Sequence, residues 1–247
     1  MQATMLPFPD RLQAGQLLSR QLEKYAGRRD VIVLALPRGG VPVGYAIAAS
    51  LESPLDVFLV GKLGVPGHED MALGAVSSRG VCVLRPETIA MMDIPPDVIE
   101  ATARRELREI QRRERAYRAI RPQLELKDRV VIVADDGLVT GATMLAAVRA
   151  LRHEHPAQII VAIPVGTGDS IAELRLEADA VICQEVPEWM SSIEQWYTDS
   201  APLDDVQVMD YLQKAAQWRI PDDVGMPPPL SVSPASNASN VPMRDAP

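Results

Sequence analysis

The sequence predicts an α/β fold, a mostly parallel sheet with helices on both faces, and three observations carry that prediction. Short runs rich in β-branched residues recur along the chain: DVIVLALP, VVIV, AQIIVAIPV and AVICQEV. They are apolar at successive positions instead of alternating, which marks strands buried on both faces. Helix-period segments separate them, and a repeated β-α-β-α order calls for parallel strands joined by crossovers.

Residues 10–26 read as an amphipathic helix capped by Asp10, with Leu17, Leu18 and Leu22 facing inward. Asp30 to Pro37 is a buried strand that runs into Arg38-Gly39-Gly40 and the helical segment VPVGYAIAASL. Leu55 to Val60 is the next strand, followed by Gly61-Lys62. The glycine-rich stretch LGVPGHEDMALG beyond it reads as a mobile loop carrying His68, Glu69 and Asp70. Gly74 to Ser78 and Val81 to Arg85, joined by Arg79-Gly80, form a hairpin. PETIAMMD is a short helix, and Asp97 opens a long one to about Arg118. Its Glu and Arg residues fall three and four apart, giving salt-bridged solvated faces beside a narrow stripe of Ile99, Ala103, Leu107 and Ile110. Such a basic helix is also a surface for an acidic partner or a dimer contact.

The centre of the chain is VVIVADDGLVTGATM, Val130 to Met144. A buried strand ends on Asp135 and Asp136, crosses a small, hydroxyl-bearing turn and enters a helix with Leu145, Val148 and Leu151 on one face. A turn that closes a strand and opens a helix offers unpaired N–H groups and the positive end of the helix dipole. Thr140 and Thr143 add hydroxyls, so the turn is a phosphate cradle. Carboxylates repel phosphate; beside one they suit sugar hydroxyls, a bridging metal, or both. The reading is a site for a phosphorylated sugar. A P-loop needs Gly-Lys-Ser/Thr at the helix start, and this turn has no lysine.

After that motif come a strand at Ala157 to Val165, a helix over 169–177 capped by Asp169, and a strand at Ala180 to Val186. The segment PEWMSSIEQWYTDS holds Trp189 and Trp196, two of the three tryptophans. Leu203 to Trp218 is a final helix, and residues 221–247 turn to Pro, Ser, Asn and Ala, the composition of a disordered tail.

Apolar strand, two acids and a turn closing in Thr-Gly-x-Thr (Asp135, Asp136, Thr140, Gly141, Thr143) resemble the 5-phosphoribosyl-1-pyrophosphate (PRPP) signature of the type I phosphoribosyltransferases. The arrangement is most similar to the branch whose acceptor is unassigned. The resemblance implies a twisted, mostly parallel sheet with a flexible loop and a small hood. It implies a domain over 1–220, with its core at about 28–186 and its hood formed by the N-terminal segment and 187–218. PRPP would be held by Arg38, Gly39 and Gly40 as the pyrophosphate loop, by Lys62, by Asp135 and Asp136, and by the turn Gly137, Leu138, Val139, Thr140, Gly141, Ala142 and Thr143. Catalytic roles would fall on Lys62, Arg38 and Asp136. Trp189, Trp196 and Tyr197 are hood candidates for the acceptor, core packing and an oligomer interface being the alternatives. The implied chemistry is transfer of phosphoribosyl to a nitrogen acceptor with release of pyrophosphate. Mg²⁺ would enter with PRPP, and Asp135, Asp136 and Asp199 are its candidate protein contacts. The same fold also serves regulators that sense PRPP or nucleotides without turnover. Purine-salvage members carry an acid just before the Thr-Gly pair; Val139 stands here, so a purine acceptor by that mechanism is in doubt.

Composition sets the remaining bounds. The 247 residues suffice for one domain with a sizeable core and an appendage. A net charge of −8 argues against nucleic acid as a partner. Cys82 and Cys183 lie in strand-like runs and read as buried free thiols. No apolar stretch reaches membrane-spanning length and no secretory leader pattern opens the chain, so the expectation is a soluble cytoplasmic protein, with the long helix and the aromatic segment offering surface for a homodimer.

Overall fold

The computed structural model describes residues 7–120 and 122–218; the tail expected at 221–247 and the side chains of Glu69 and Asp70 lie outside the described residues. α1 (Arg11–Ser19) begins on Asp10, whose carboxylate accepts from the Gln13 amide at 2.7 Å, and tightens into a 3-10 turn at Arg20–Tyr25. Then follow β1 (Val31–Ala35), α2 (Gly40–Leu51), β2 (Leu55–Val57), β3 (Val60–Val65), β4 (His68–Ser77), β5 (Cys82–Leu84), α3 (Pro86–Met91) and α4 (Pro96–Arg118). The second half runs β6 (Val130–Ala134), α5 (Ala142–Arg152), β7 (Gln158–Val165), α6 (Gly168–Leu174), β8 (Ala180–Glu185), a 3-10 turn at Glu194–Trp196 and α7 (Asp205–Ala216).

Five strands form a parallel sheet in the order β2-β1-β6-β7-β8. β-Branched side chains alternate between its faces. Val31, Val33, Val130 and Ile132 pack with Leu18 and Leu22, Ile47 of α2 and Leu212 of α7. Ile32, Leu34, Val131 and Val133 pack on the other face with Leu145, Val148 and Leu151 of α5 and Leu174 of α6. From β1 the chain winds outward to β2; from β6 it winds the other way to β7 and β8. The order therefore reverses between β1 and β6, and the crevice at the carboxyl ends of those strands is where open α/β sheets take ligands.

Several elements depart from the sequence reading. The single strand expected at Leu55 to Val60 is two: β2 stops at Val57, and β3 starts at Val60 in a separate antiparallel sheet, β3-β4-β5. The stretch read as a mobile loop is the β3–β4 hairpin, with Val65 opposite His68 across Pro66-Gly67. Proline fixes the first turn position and Gly67, at φ 80°, supplies the left-handed second one. Cys82 is exposed, not buried, and Cys183 is half-buried with its thiol 3.1 Å from the Glu185 carbonyl. Leu17 points outward instead of joining Leu18 and Leu22 in the core. Thr167, not Asp169, caps α6.

Asp56 of β2 is buried at 1 % exposure and accepts twice from one nitrogen of Arg118, at 2.8 and 2.9 Å, which ties the end of α4 to the sheet. Removing one partner of a buried ion pair strands the other charge. Arg118→Met is expected to cost about 3–5 kcal/mol of folding stability. Chemical denaturation checks this; a loss below about 1 kcal/mol, the scale of a surface pair, would contradict it.

Candidate active site

β1 and β6 pair in parallel, with Ala35 opposite Ala134, so the segments leaving their carboxyl ends start side by side. One is Pro37-Arg38-Gly39-Gly40, the other Asp135-Asp136. The Leu36 amide bonds the Ala134 carbonyl at 2.9 Å and the Gly40 amide bonds the Leu36 carbonyl at 3.1 Å, folding the first loop onto the second. A β-carbon on Gly39 would lie 2.1 Å from Asp136 Oδ2, and one on Gly40 would lie 2.7 Å from the Ala134 carbonyl. Both glycines are thus required by contact with the acidic strand end, in addition to any anion. Arg38 is exposed at the loop's outer edge.

Asp136 is held at both ends. Its Oδ2 accepts from Arg11 Nε at 2.7 Å, and its backbone carbonyl accepts from the Tyr197 hydroxyl at 2.6 Å. Asp135 Oδ1 accepts from the Asp136 amide at 2.9 Å. Asp135 keeps some accessible surface, yet protein crowds its carboxyl; that desolvation, and then the negative charge of Asp136, push its pKa well above the carboxylate range.

A carboxyl whose pKa rises on folding keeps its proton where the unfolded chain has lost it. Its contribution to stability is whole below the unfolded value, about 3.9, and is lost as pH rises towards the folded value. Asp135→Asn keeps the oxygen that faces the Asp136 amide and removes the charge. The variant is expected to melt above the wild type at neutral pH and level with it near the unfolded pKa, in thermal denaturation followed against pH. A variant less stable at neutral pH would contradict the assignment.

The turn after the acids is built to hold its shape. Leu138 bonds β7 and its exit, its amide to the Val165 carbonyl at 3.0 Å and its carbonyl to the Thr167 amide at 3.1 Å. The Val139 carbonyl accepts from both Thr167 Oγ1 and Ser170 Oγ at 2.9 Å. Gly141, at φ 65°, turns the chain into α5, whose first amides have no partner within the helix. Thr140 and Thr143 are exposed and Ala142 half-buried, so an anion has access to this end. Leu138 departs from the expected set: its side chain is 3 % exposed in the core and its amide and carbonyl are both committed.

Lys62 lies on β3 and lines a hollow of about 20 Å³ with Arg85, Ala142, Thr143 and Arg149. The hairpin thus leans on the amino end of α5. Neither Arg38 nor the acids line this hollow, which has room for little more than a water. His68 is exposed at the hairpin tip.

The aromatic segment divides. Trp189 is 75 % exposed and Trp196 half-buried. Tyr197 is 4 % exposed, its hydroxyl spent on Asp136 and its ring 5.1 Å from the Arg11 guanidinium. It supports the acids from beneath and offers no open face for stacking. Asp199 accepts from the Ala201 amide at 3.1 Å. Among the described residues no group of three or more His, Cys, Asp or Glu side chains is placed to hold a metal, so Asp199 does not complete a set with the acids.

Arg11, Thr167 and Ser170 are the site residues that the sequence reading lacks. Thr167 and Ser170 show only as an ordinary helix start, and Arg11 as one charge on an amphipathic helix. No helix among the described residues is long and apolar enough to cross a membrane.

The family model described as a phosphoribosyl transferase domain matches residues 2–201. Proteins of two Mycobacterium tuberculosis strains, named Putative phosphoribosyl transferase, are 36 % identical over 208 residues, which is 84 % of this chain and 47 % of theirs. The chain therefore spans about half the length of these curated relatives. The bifunctional protein PyrR of Pediococcus pentosaceus is 35 % identical over 126 residues, 47 % of this chain and 68 % of that one. A crystal structure of a Thermus thermophilus protein superposes with a TM-score of 0.77 at 36 % identity, covering 86 % of this chain and 99 % of that one.

Proposed function

The chain belongs to the phosphoribosyl transferase family, and from that premise we propose that it transfers phosphoribosyl from PRPP to the nitrogen of a small acceptor, releasing pyrophosphate. The observation that carries the reading is the junction of β1 and β6, where the Arg38-Gly39-Gly40 loop lies against Asp135 and Asp136 beside the amino end of α5.

On this reading the first amides of α5 and the hydroxyls of Thr140 and Thr143 bind the 5-phosphate. Asp135 and Asp136 bind the ribose hydroxyls. Arg38 and the Gly39 amide bind pyrophosphate, and Lys62 adds a cation from the β3–β4 hairpin; the Gly40 amide, expected to join them, is committed to the Leu36 carbonyl. The bond from C1 to the pyrophosphate oxygen breaks, its electron pair leaves with pyrophosphate, and the acceptor nitrogen bonds to C1. Negative charge gathers on the leaving group, where preorganised cations and dipoles stabilise it. Val139 packs against the apolar cluster of Phe8, Met190 and Tyr197 and cannot take the acceptor's proton. An acceptor that sheds its proton to pyrophosphate or water therefore suits this site better than one needing a protein base.

Asp135, whose proton an incoming cation would displace, and the Asp136 oxygen not engaged by Arg11 fit a Mg²⁺ that arrives on its substrate, since that ion takes one or two carboxylates with waters and phosphate oxygens. Bound there, Mg²⁺ would supply positive charge to the pyrophosphate oxygens, with Asp135 and Asp136 as its protein contacts.

A second reading, a PRPP or nucleotide sensor without turnover, draws on the commitment of Asp136 to Arg11 and on Val139. Pyrophosphate release separates the two. With PRPP, Mg²⁺ and a panel of nucleobases and small amines, acceptor-dependent release that stops on chelation supports the transferase. Saturable PRPP binding with no release under any acceptor supports the sensor.

A further inference from the structure

We propose that Arg11 is a positioning residue: it fixes the Asp136 carboxylate for the sugar and joins the amino-terminal helix and the segment after β8 to that carboxylate. The proposal rests on the phosphoribosyl transfer reading. Arg11 opens α1, where the helix dipole disfavours a cation. It is nevertheless 9 % exposed, so its place is explained by what it meets. Its Nε donates to Asp136 Oδ2 at 2.7 Å, an Nη donates to the Ala201 carbonyl at 3.1 Å, and its guanidinium sits 5.1 Å from the Tyr197 ring. Tyr197 in turn donates to the Asp136 backbone at 2.6 Å.

Three distant parts of the chain thus meet on one aspartate. With Oδ2 engaged and Gly39 pressed against the carboxylate, Asp136 has little rotational freedom. A group that must meet a ribose hydroxyl benefits from being locked by its neighbours before the ligand arrives. Arg11 touches no reacting atom on this account; it acts through Asp136.

The test uses the full chain carrying Arg11→Met, Arg11→Lys or Tyr197→Phe, each titrated calorimetrically with PRPP and with pyrophosphate in the absence of Mg²⁺. PRPP then reaches the acids through its ribose; pyrophosphate, with no ion to bridge it to them, reaches only the Arg38 loop. Arg11→Met is expected to weaken PRPP about tenfold or more and pyrophosphate less than about twofold, and Arg11→Lys to recover most of the loss. Tyr197→Phe, which removes one hydroxyl, is expected to weaken PRPP about threefold with pyrophosphate unchanged. It decides the matter should Arg11→Met not fold. Wild-type PRPP affinity in a folded Arg11→Met, or in Tyr197→Phe where that variant decides, overturns the proposal. So does equal loss of both ligands, which marks a purely structural role. A wild-type protein that binds no PRPP overturns the transferase reading itself, and the proposal with it.

Discussion

Asp135→Asn combined with Asp136→Asn is expected to remove PRPP binding, weakening it at least about a hundredfold. Each charged hydrogen bond to a ribose hydroxyl contributes about 1.5–3 kcal/mol, and about 1.4 kcal/mol is tenfold in affinity. The amides keep the shape of both side chains, and the one replacing Asp136 still offers an oxygen to Arg11. The comparison is therefore of charge and acceptor strength, not of volume. Circular dichroism and a melting curve show whether the fold is kept. The Asp135→Asn half removes a group whose pKa is raised by burial, whereas the Asp136→Asn half leaves the buried Arg11 charge without its carboxylate, so unchanged or greater stability at neutral pH is expected of Asp135→Asn alone and the double variant is expected to melt below it. A folded double variant that binds PRPP like the wild type would remove the acids from the sugar site.

The second large effect is expected from Gly39→Ala. The new methyl group would lie 2.1 Å from Asp136 Oδ2 and 2.5 Å from Cγ, far inside contact distance. Asp136 cannot yield freely, because Arg11 and Tyr197 hold it from two sides. The loop must move instead, carrying Arg38 and the Gly39 amide away from the leaving group. A displacement of about 1 Å at a reacting centre can cost about a hundredfold in rate, and overpacking costs about 1–3 kcal/mol of stability. Gly168→Ala is the control, since a β-carbon there meets nothing within 4 Å. Steady-state pyrophosphate release and thermal denaturation of both variants check this; a Gly39→Ala protein as active as Gly168→Ala would contradict the geometry.

What the sequence made legible was whatever local pattern determines. Continuous β-branched runs marked the parallel core, and Asp-Asp-Gly before Thr-Gly-x-Thr marked the turn that opens α5. The β3–β4 hairpin reads as a loop because glycines at 61, 64, 67 and 74 dilute the strand signal, although Pro66-Gly67 is a turn pair. Cys82 sits in an apolar run, yet β5 is a three-residue strand at the edge of the small sheet, so the run does not imply burial. Contacts between distant residues left no local trace. Nothing near Arg11 shows that it will meet Asp136, 125 positions away, and nothing near Tyr197 shows that its hydroxyl is committed below the acids. Tyr197 therefore reads as a hood aromatic in the sequence and as a strut in the structure. Glycines 39 and 40 are legible for only half the reason: they admit an anion on the sequence reading, and they admit the acidic strand end in the fold.

The central claim is that one crevice at the β1/β6 junction holds a phosphorylated sugar, its phosphate at α5 and its hydroxyls at the acids. Calorimetric titration of the wild-type protein with PRPP and Mg²⁺, repeated in the presence of ribose 5-phosphate and then of pyrophosphate, tests it most directly. The account predicts saturable binding at one site per chain that each competitor weakens, the first through the turn and acids, the second through the Arg38 loop. Absence of saturable binding, or binding that neither competitor affects, would contradict it.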